Sequence, residues 1–208
     1  MMSRGMGPGA DIVVKFGGSL LSRSNLRDIC CRLDSSLREV NAIIAPGGGI
    51  IADEIRRLDS LHYLGPESSH WMAVLAMDQN GLMLADLMPR GIPVRSGEEA
   101  AAAWEKGLLP VFLPGEKMRE EDPLPKNWDV TSDSIACWVA VSLGAKKILF
   151  LKDSIPGCSM TAKSLSSHGW LDRAFPDQFG FFHGEAWIGN GRFPEDAVNG
   201  PGIIEILR

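Results

Sequence analysis

The chain has 208 residues, a length that suits one domain, and 45% of them are hydrophobic, as in an ordinary globular protein. Its formal net charge of −5 argues against the basic surface that nucleic-acid binding requires. The sequence contains no apolar run near the ~20 residues of a membrane span. Its four cysteines lack CxxC spacing and a histidine cluster, so no zinc site is expected.

In chain order, apolar periodicity and turn residues predict alternating strands and helices. The predicted elements are strand Ile12–Phe16, helix Leu26–Val40 with Ser24 as N-cap, strand Ala42–Ala45, helix Ile50–Leu58, helix Ser69–Met88, strand Ile92–Arg95, helix Glu98–Glu105, strand Pro110–Leu113, a charged loop over residues 116–127, helix Ser132–Leu143, strand Lys147–Leu151 and strand Ile203–Leu207. Residues 153–200 carry no clear pattern. The alternation predicts an α/β fold with a mainly parallel sheet covered on both faces.

The sequence predicts a short tail followed by one domain. Residues 1–10, MMSRGMGPGA, lack the apolar segment of a signal peptide and are predicted to be a disordered tail. Residues 11–208 are expected to form a single domain. Scattered thiols without an export signal favour a cytoplasmic protein.

Three motifs come at the ends of predicted strands, where parallel sheets bind their ligands. They are Lys15 with Gly17-Gly18-Ser19, the run Gly47-Gly48-Gly49, and Lys152-Asp153. Both glycine runs precede predicted helices. Glycines allow backbone N–H groups to approach a ligand, and a helix N-terminus favours an anion. We therefore expect these motifs to form a phosphate site into which Lys15 projects.

A fourth motif, WDVTSDS over residues 128–134, begins a predicted helix and carries Asp133. This carboxylate is expected either to orient the lysines or to help hold Mg²⁺. No residue is assigned as a dedicated metal ligand. His70 and Trp71 on the methionine-rich helix are expected to serve packing or an interface.

Each glycine motif also has a simpler interpretation. A Gly-Gly pair after a strand is usually only a turn, and Lys152 alone is as consistent with a solvated surface position. Residues 47–52 also match G-x-G-x-x-A, a weak dinucleotide fingerprint, but the sequence lacks a suitably placed acidic residue for the ribose. The functional interpretation depends on all four motifs occurring together.

Taken together, VVKFGGSLL, IIAPGGGIIADEIR, WDVTSDSIA and ILFLKD resemble the amino acid kinase superfamily, which contains acetylglutamate, aspartate, uridylate and isopentenyl phosphate kinases. The resemblance spans Ile12 to about Asp153. SHWMAVLAMDQNG and WDVTSDSIACWVA are further similar to an archaeal-type branch that includes a kinase acting on an aminomethylfuran phosphate in methanofuran synthesis.

The resemblance implies a three-layer αβα sandwich, with the acceptor over the N-terminal half and ATP over the C-terminal half. It implies that Lys15 stabilises the transferred phosphoryl group and that Asp133 organises the catalytic lysines. The implied phosphate- or acceptor-binding residues are Gly17, Gly18, Ser19, Gly47, Gly48 and Gly49. The implied nucleotide-binding residues are Lys152, Asp153, Gly157 and Lys163.

Two departures from the family pattern concern the ATP half. The loop after the strand reads LKDSIPGCSMTAK, in which only Asp153, Gly157 and Lys163 match, and Gly157 only with an insertion. The later G-G-M-x-x-K motif, whose lysine supports phosphoryl transfer in many members, is missing. Arg173 and Arg192 are the nearest cationic substitutes, while Lys152 or Lys163 would supply a lysine instead.

The function predicted is an ATP- and Mg²⁺-dependent kinase for a small phosphate- or carboxylate-bearing metabolite, with a furan phosphate as one acceptor. One alternative is a nucleotide- or metabolite-binding protein of kinase descent without turnover. Another is a Rossmann NAD-dependent dehydrogenase. The expected partners are a small-molecule acceptor and a second copy of the chain, with neither nucleic acid nor membrane.

Overall fold

A computed structural model describes residues 9–200 and 202–208. Within them the strands are β1 (Ile12–Phe16), β2 (Ala42–Pro46), β3 (Gly91–Val94), β4 (Leu109–Phe112), β5 (Lys147–Lys152), β6 (Met160–Thr161), β7 (Glu185–Asn190) and β8 (Ile203–Leu207). The helices are α1 (Leu26–Ser36), α2 (Gly49–His62), α3 (Pro66–Leu87), α4 (Gly97–Trp104), α5 (Gly115–Glu121), α6 (Ser132–Ser142), α7 (Ala162–Ser167), α8 (Phe175–Phe179) and α9 (Pro194–Asn199).

The strands form one sheet in the order β3-β4-β2-β1-β5-β7-β8-β6 over the described part of the chain. Neighbouring strands are parallel except for β7 and β8. Strand β1 lies between β2 and β5, so that Lys15 pairs with Ala45 on one side and with Phe150 on the other. The carboxyl ends of β1, β2 and β5 therefore meet at the centre of one sheet edge.

The sheet is covered on both faces, which confirms the predicted αβα sandwich. Val13 and Phe150 belong to a buried cluster that includes residues of α6 and α8. Val14 and Leu149 belong to a second cluster that includes residues of α1 and α9. Consecutive strand residues thus point to opposite apolar layers, which explains why the strands read as continuous apolar runs.

Most predicted elements are confirmed with small shifts at their ends, but three details were wrong. The segment 116–127, predicted as a loop, begins with helix α5, and only the proline-containing part after Asp122 is irregular. Helix α1 ends at Ser36 rather than Val40, and Asn25 rather than Ser24 precedes it. The first glycine pair leads into a 3-10 turn, Gly18–Ser22, before α1 begins.

Most of the predicted N-terminal tail, residues 1–8, lies outside the described residues. Ala10, which the prediction assigned to the tail, is fully buried, and its carbonyl accepts a hydrogen bond from Lys146 N. The packed chain therefore includes Ala10. Across the residues that the structure describes, no helix has the length and apolar character to cross a membrane.

A buried ion pair joins α1 to the turn before β3. Asp34 is 1% exposed, and its carboxylate accepts hydrogen bonds from Arg90 N at 2.9 Å and Arg90 Nε at 2.8 Å. Asp34→Ala leaves Arg90 N and Nε without their acceptor and the guanidinium without its carboxylate, and we expect the free energy of unfolding to fall by about 3 kcal/mol. Urea denaturation measures this change.

Asp28→Ala is the matched control, because Asp28 lies on the same helix and binds Arg32 in an exposed pair. Its loss is expected to cost less than about 1 kcal/mol. Equal destabilisation by the two variants would contradict the importance assigned to the buried pair.

Candidate active site

The core of the site is one carboxylate between two ammonium groups. Lys15 Nζ lies 2.9 Å from Asp133 Oδ1, and Lys152 Nζ lies 2.9 Å from Oδ1 and 2.8 Å from Oδ2 of the same side chain. Lys15 is the penultimate residue of β1, Lys152 is the last residue of β5, and Asp133 lies in the first turn of α6. Lys15 is 4% exposed and Asp133 5% exposed, whereas the Lys152 side chain is 17% exposed, so solvent reaches the cluster only from the Lys152 side.

The pKa values of the cluster follow from burial and from neighbouring charges. Burial alone raises the pKa of Asp133, but the charges of Lys15 and Lys152 outweigh it and lower the pKa to about 2. Burial lowers the pKa of Lys152 to about 8, against the raising effect of Asp133, while Lys15 adds to the lowering. At neutral pH Asp133 is therefore a carboxylate and Lys152 is mostly an ammonium.

This geometry fits one of the two roles expected for Asp133. Because both of its oxygens are bound by ammonium groups, Asp133 orients the lysines and is not free to bind Mg²⁺. Asp153, the next carboxylate along β5, is also engaged, by Arg23 and by Arg192 at 2.8 Å. Among the described residues there is no cluster of three carboxylate, histidine or cysteine ligands.

The two glycine loops pack directly against each other. A Cβ on Gly18 would lie 2.6 Å from Gly49 N, and one on Gly47 would lie 2.5 Å from Gly18 N. The Asn80 amide, from α3, donates hydrogen bonds to the carbonyls of Gly47 and Gly48, both at 2.8 Å. These glycines are thus required because the two loops contact each other. The sequence analysis had explained them by the approach of a ligand or by a turn.

A cavity of about 240 Å³ opens beside these loops. Gly18, Ser19, Gly48 and Gly49 form one end of it, and side chains of α3 and α6 form its apolar walls. His70, expected to serve packing or an interface, lines this cavity, and burial lowers its pKa. Trp71 does not line the cavity, and the Arg119 guanidinium lies 4.7 Å from its ring centre.

The cavity is also lined by three residues to which the sequence analysis assigned no role. They are Asp53 and Arg56 on α2 and Trp128 in the loop before α6. The guanidinium of Arg56 lies 4.5 Å from the Trp128 ring centre and 3.1 Å from Asp53 Oδ1. The Trp128 indole donates a hydrogen bond of 2.5 Å to Asp59. This hydrogen bond joins the loop before α6 to α2.

The residues assigned to the nucleotide by resemblance are dispersed. Lys152 joins the buried cluster, whereas Asp153 points to Arg23 and Arg192. Gly157 and Lys163 are exposed, in the loop after β5 and in α7. The sequence analysis offered four residues as the second positive charge, namely Lys152, Lys163, Arg173 and Arg192. Of these, Lys152 contacts Asp133, whereas Arg173 is an exposed partner of Asp129.

Asp172 is a further, half-buried carboxylate that no motif predicted. It accepts hydrogen bonds from the backbone and hydroxyl groups of Thr131 and Ser134, at the start of α6. Burial and the charge of Asp133 raise its pKa. Asp172 lies in the region 153–200, where sequence periodicity assigned no element, so its partners were not foreseeable.

Comparisons with known proteins agree with this geometry. Residues 12–157 match the profile of the Amino acid kinase family. The chain is 25% identical over 202 residues to [5-(aminomethyl)furan-3-yl]methyl phosphate kinase of Methanocaldococcus jannaschii, covering 90% of this chain and 91% of the relative.

Solved structures share the fold. The uridylate kinase from Archaeoglobus fulgidus aligns with a TM-score of 0.71 at 15% identity, covering 95% of this chain and 100% of that one. The UMP kinase from Bacillus anthracis aligns with the same TM-score and identity, covering 96% of both chains.

The close approach of Gly48 to α2 can be tested by a paired substitution. A Cβ on Gly48 would lie 2.6 Å from the Cβ of Ala52, one turn along the helix. We expect Gly48→Ala to disturb the start of α2 and weaken ligand binding at the cavity. Adding Ala52→Gly removes the clash and should restore binding, at a helix-propensity cost of about 1 kcal/mol.

The measurement is isothermal titration of both variants with a phosphate-bearing acceptor, and Ala52→Gly alone is the control. Failure of the double variant to recover would indicate that the ligand, not Ala52, excludes a side chain at Gly48.

Proposed function

We propose a reaction and an acceptor class for this chain, which belongs to the amino acid kinase family. The chain is a phosphotransferase that acts on a small molecule. The proposed donor is ATP with Mg²⁺, and the proposed acceptor is a small phosphate- or carboxylate-bearing metabolite. A furan phosphate like the substrate named for the Methanocaldococcus relative is the first candidate. The Rossmann dehydrogenase alternative is not supported, because the family match covers both glycine motifs.

The observation that carries this proposal is the Lys15–Asp133–Lys152 cluster at the edge of the sheet. Phosphoryl transfer requires positioning and neutralisation of charge on the transferred group more than covalent participation of the protein. Two ammonium groups held by one carboxylate supply charge that is already oriented before the substrates bind. Magnesium, when present, would neutralise charge on the nucleotide phosphates. The protein's own contribution is the paired lysines.

The charge state of Asp133 favours an acceptor that is already anionic. With a pKa of about 2, Asp133 is a poor base at neutral pH. A hydroxyl acceptor must lose a proton during transfer, whereas a phosphate monoester, with a second pKa near ~6, presents an ionised oxygen at pH 7. The acceptor oxygen then attacks the γ-phosphorus, the bond to the bridging oxygen breaks, and ADP leaves.

A hydroxyl acceptor is the second candidate, and one observation favours it. His70 lines the cavity, and burial lowers its pKa, so its imidazole is neutral at pH 7 and able to accept a proton. Turnover of an alcohol that is abolished by His70→Asn would support this candidate over the phosphate acceptor.

The test of the main proposal is a kinase assay with Lys15→Ala as the comparison. With ATP, Mg²⁺ and [5-(aminomethyl)furan-3-yl]methyl phosphate, we expect ADP formation by the unmodified protein. We expect kcat to fall at least ~100-fold in the variant, on the scale of losing one preorganised electrostatic contact. Because Lys15 is buried, the variant should also be less stable, so the assay temperature must lie below its melting temperature.

Binding provides the control for this assay. ATP with Mg²⁺ at a hundredfold excess over Kd should stabilise the protein by about 2.7 kcal/mol, and NAD should not. Stabilisation by ATP without turnover of any phosphate- or carboxylate-bearing acceptor would favour the non-catalytic binding protein. Near-normal turnover by Lys15→Ala would remove this lysine from the mechanism.

Asp53 offers a test of the acceptor itself. Gly49 begins α2, and Asp53 lies four residues later, about 6 Å along the helix, and lines the same cavity. With the phosphate at the glycine end, an aminomethyl group would lie near this carboxylate. We expect Asp53→Asn to raise KM about fivefold for the aminomethyl acceptor, because an exposed ion pair contributes at most about 1 kcal/mol.

Steady-state kinetics with the aminomethyl acceptor and with its analogue lacking the amine measure this preference. Glu54→Gln is the matched control, since Glu54 is the adjacent residue and pairs with Arg57 on the exposed surface. An unchanged preference in Asp53→Asn would show that this carboxylate does not recognise the amine.

A further inference from the structure

Asp172 joins a distant segment to the first turn of α6. Its Oδ2 accepts hydrogen bonds from Thr131 N at 2.8 Å, Thr131 Oγ1 at 2.9 Å and Ser134 N at 2.9 Å. Its Oδ1 accepts one from Ser134 Oγ at 2.5 Å. The first N–H groups of a helix have no partner within the helix, and Asp172 supplies acceptors for this turn from 38 residues beyond Ser134.

The first turn of α6 also carries Asp133. Asp133 lies between Thr131 and Ser134, the two residues that Asp172 binds, and its side chain holds Lys15 and Lys152. The local cap is weak, because Thr131 Oγ1 accepts from Asp133 N at 3.5 Å. The position of Asp133 therefore depends on bonds made to the residues on either side of it.

Asp172 also balances the charge of the cluster. Lys15 and Lys152 carry two positive charges, and Asp133 supplies one negative charge. Asp172 supplies the second, and its charge raises the pKa of Lys152. The other groups that act on Lys152 are Asp133 from α6, which raises its pKa, and Lys15 from β1, which lowers it. Burial raises the pKa of Cys137, which lies one turn along α6, and the charge of Asp172 adds to this while Arg208 opposes it.

We propose that Asp172 is a positioning residue for phosphoryl transfer, fixing the first turn of α6 so that Asp133 holds Lys15 and Lys152 in place. This inference rests on the proposed function. A helix-capping role alone would affect stability, whereas a positioning role also changes turnover and the ionisation of Lys152.

Asp172→Asn tests the proposal because it keeps the size of the side chain and removes its charge. Without that charge, the Lys152 ammonium loses one stabilising partner, so its deprotonation should occur at a lower pH. The alkaline fall in kcat/KM for ATP, which reports the free enzyme and is expected near pH 8, should move to lower pH. We expect kcat to fall about 10- to 100-fold, as for a small misplacement of catalytic groups, with KM for the acceptor within about twofold.

Asp177→Asn is the matched control, since Asp177 is an exposed acidic residue in nearby α8. It removes the same charge without a bond to α6 and should leave kcat and the pH profile unchanged. Ser134→Ala is a second variant that removes one hydrogen bond and keeps the Asp172 charge. It should lower kcat but leave the alkaline limb in place.

A second readout does not depend on turnover. Nitrogen-15 NMR of lysine Nζ, with Lys152→Arg for assignment, should show the Lys152 titration at lower pH in Asp172→Asn. Absence of kinase activity in the unmodified protein would overturn the proposed function, and the NMR titration would still decide whether Asp172 acts on Lys152. A folded Asp172→Asn protein with unchanged kcat and unchanged Lys152 titration would overturn the inference and leave Asp172 as a helix cap. If Asp172→Asn does not fold, Ser134→Ala with normal kcat would overturn it as well.

Discussion

The structure depends on one buried carboxylate that two ammonium groups share, one of them buried and the other partly buried. Removing these charges from water carries a large desolvation cost, which their mutual attraction offsets only with close contacts and good geometry. Lys15 comes from β1, Lys152 from β5 and Asp133 from α6, so the contacts form only when sheet and helix pack in register. A region needed for chemistry is therefore also a region where folding must be accurate. The pairing of β1 with β5 supplies that accuracy, because it places the two strand ends side by side.

The glycine loops follow from the same constraint. Adjacent parallel strands bring the turns after β1 and β2 close together, and Gly18 contacts Gly49 with no room for a Cβ. The backbone therefore forms one end of the cavity, while larger side chains of α3 and α6 form the walls. A site made in this way combines the backbone of the glycine loops with the aromatic and charged side chains of Trp128 and Asp53 in the lining of one cavity.

Local patterns were sufficient to predict the central strands and the glycine loops, because each depends on residues close in sequence. The roles assigned to Lys15 and Asp133 stay predictions, although the two side chains do contact each other. Helix α5 was missed because nearby prolines suggested a loop, although those prolines follow its last turn. Asp172 and Asp53 could not be predicted for different reasons. Asp172 acts on α6 from a segment without periodicity, and Asp53 belongs to an exposed helix face whose proximity to Trp128 arises only from tertiary packing.

Under the proposed function, Lys152 would take the place of the later lysine motif that the sequence lacks. A lysine in a loop must lose side-chain and backbone freedom when it engages a phosphate. Lys152 has already lost that freedom, since it lies at a strand end and both oxygens of Asp133 hold its ammonium group. Its lowered pKa is the cost of that burial. A bound polyphosphate would add negative charge beside the Lys152 ammonium and so favour its protonated form. Binding of the phosphate donor and protonation of Lys152 would therefore reinforce each other.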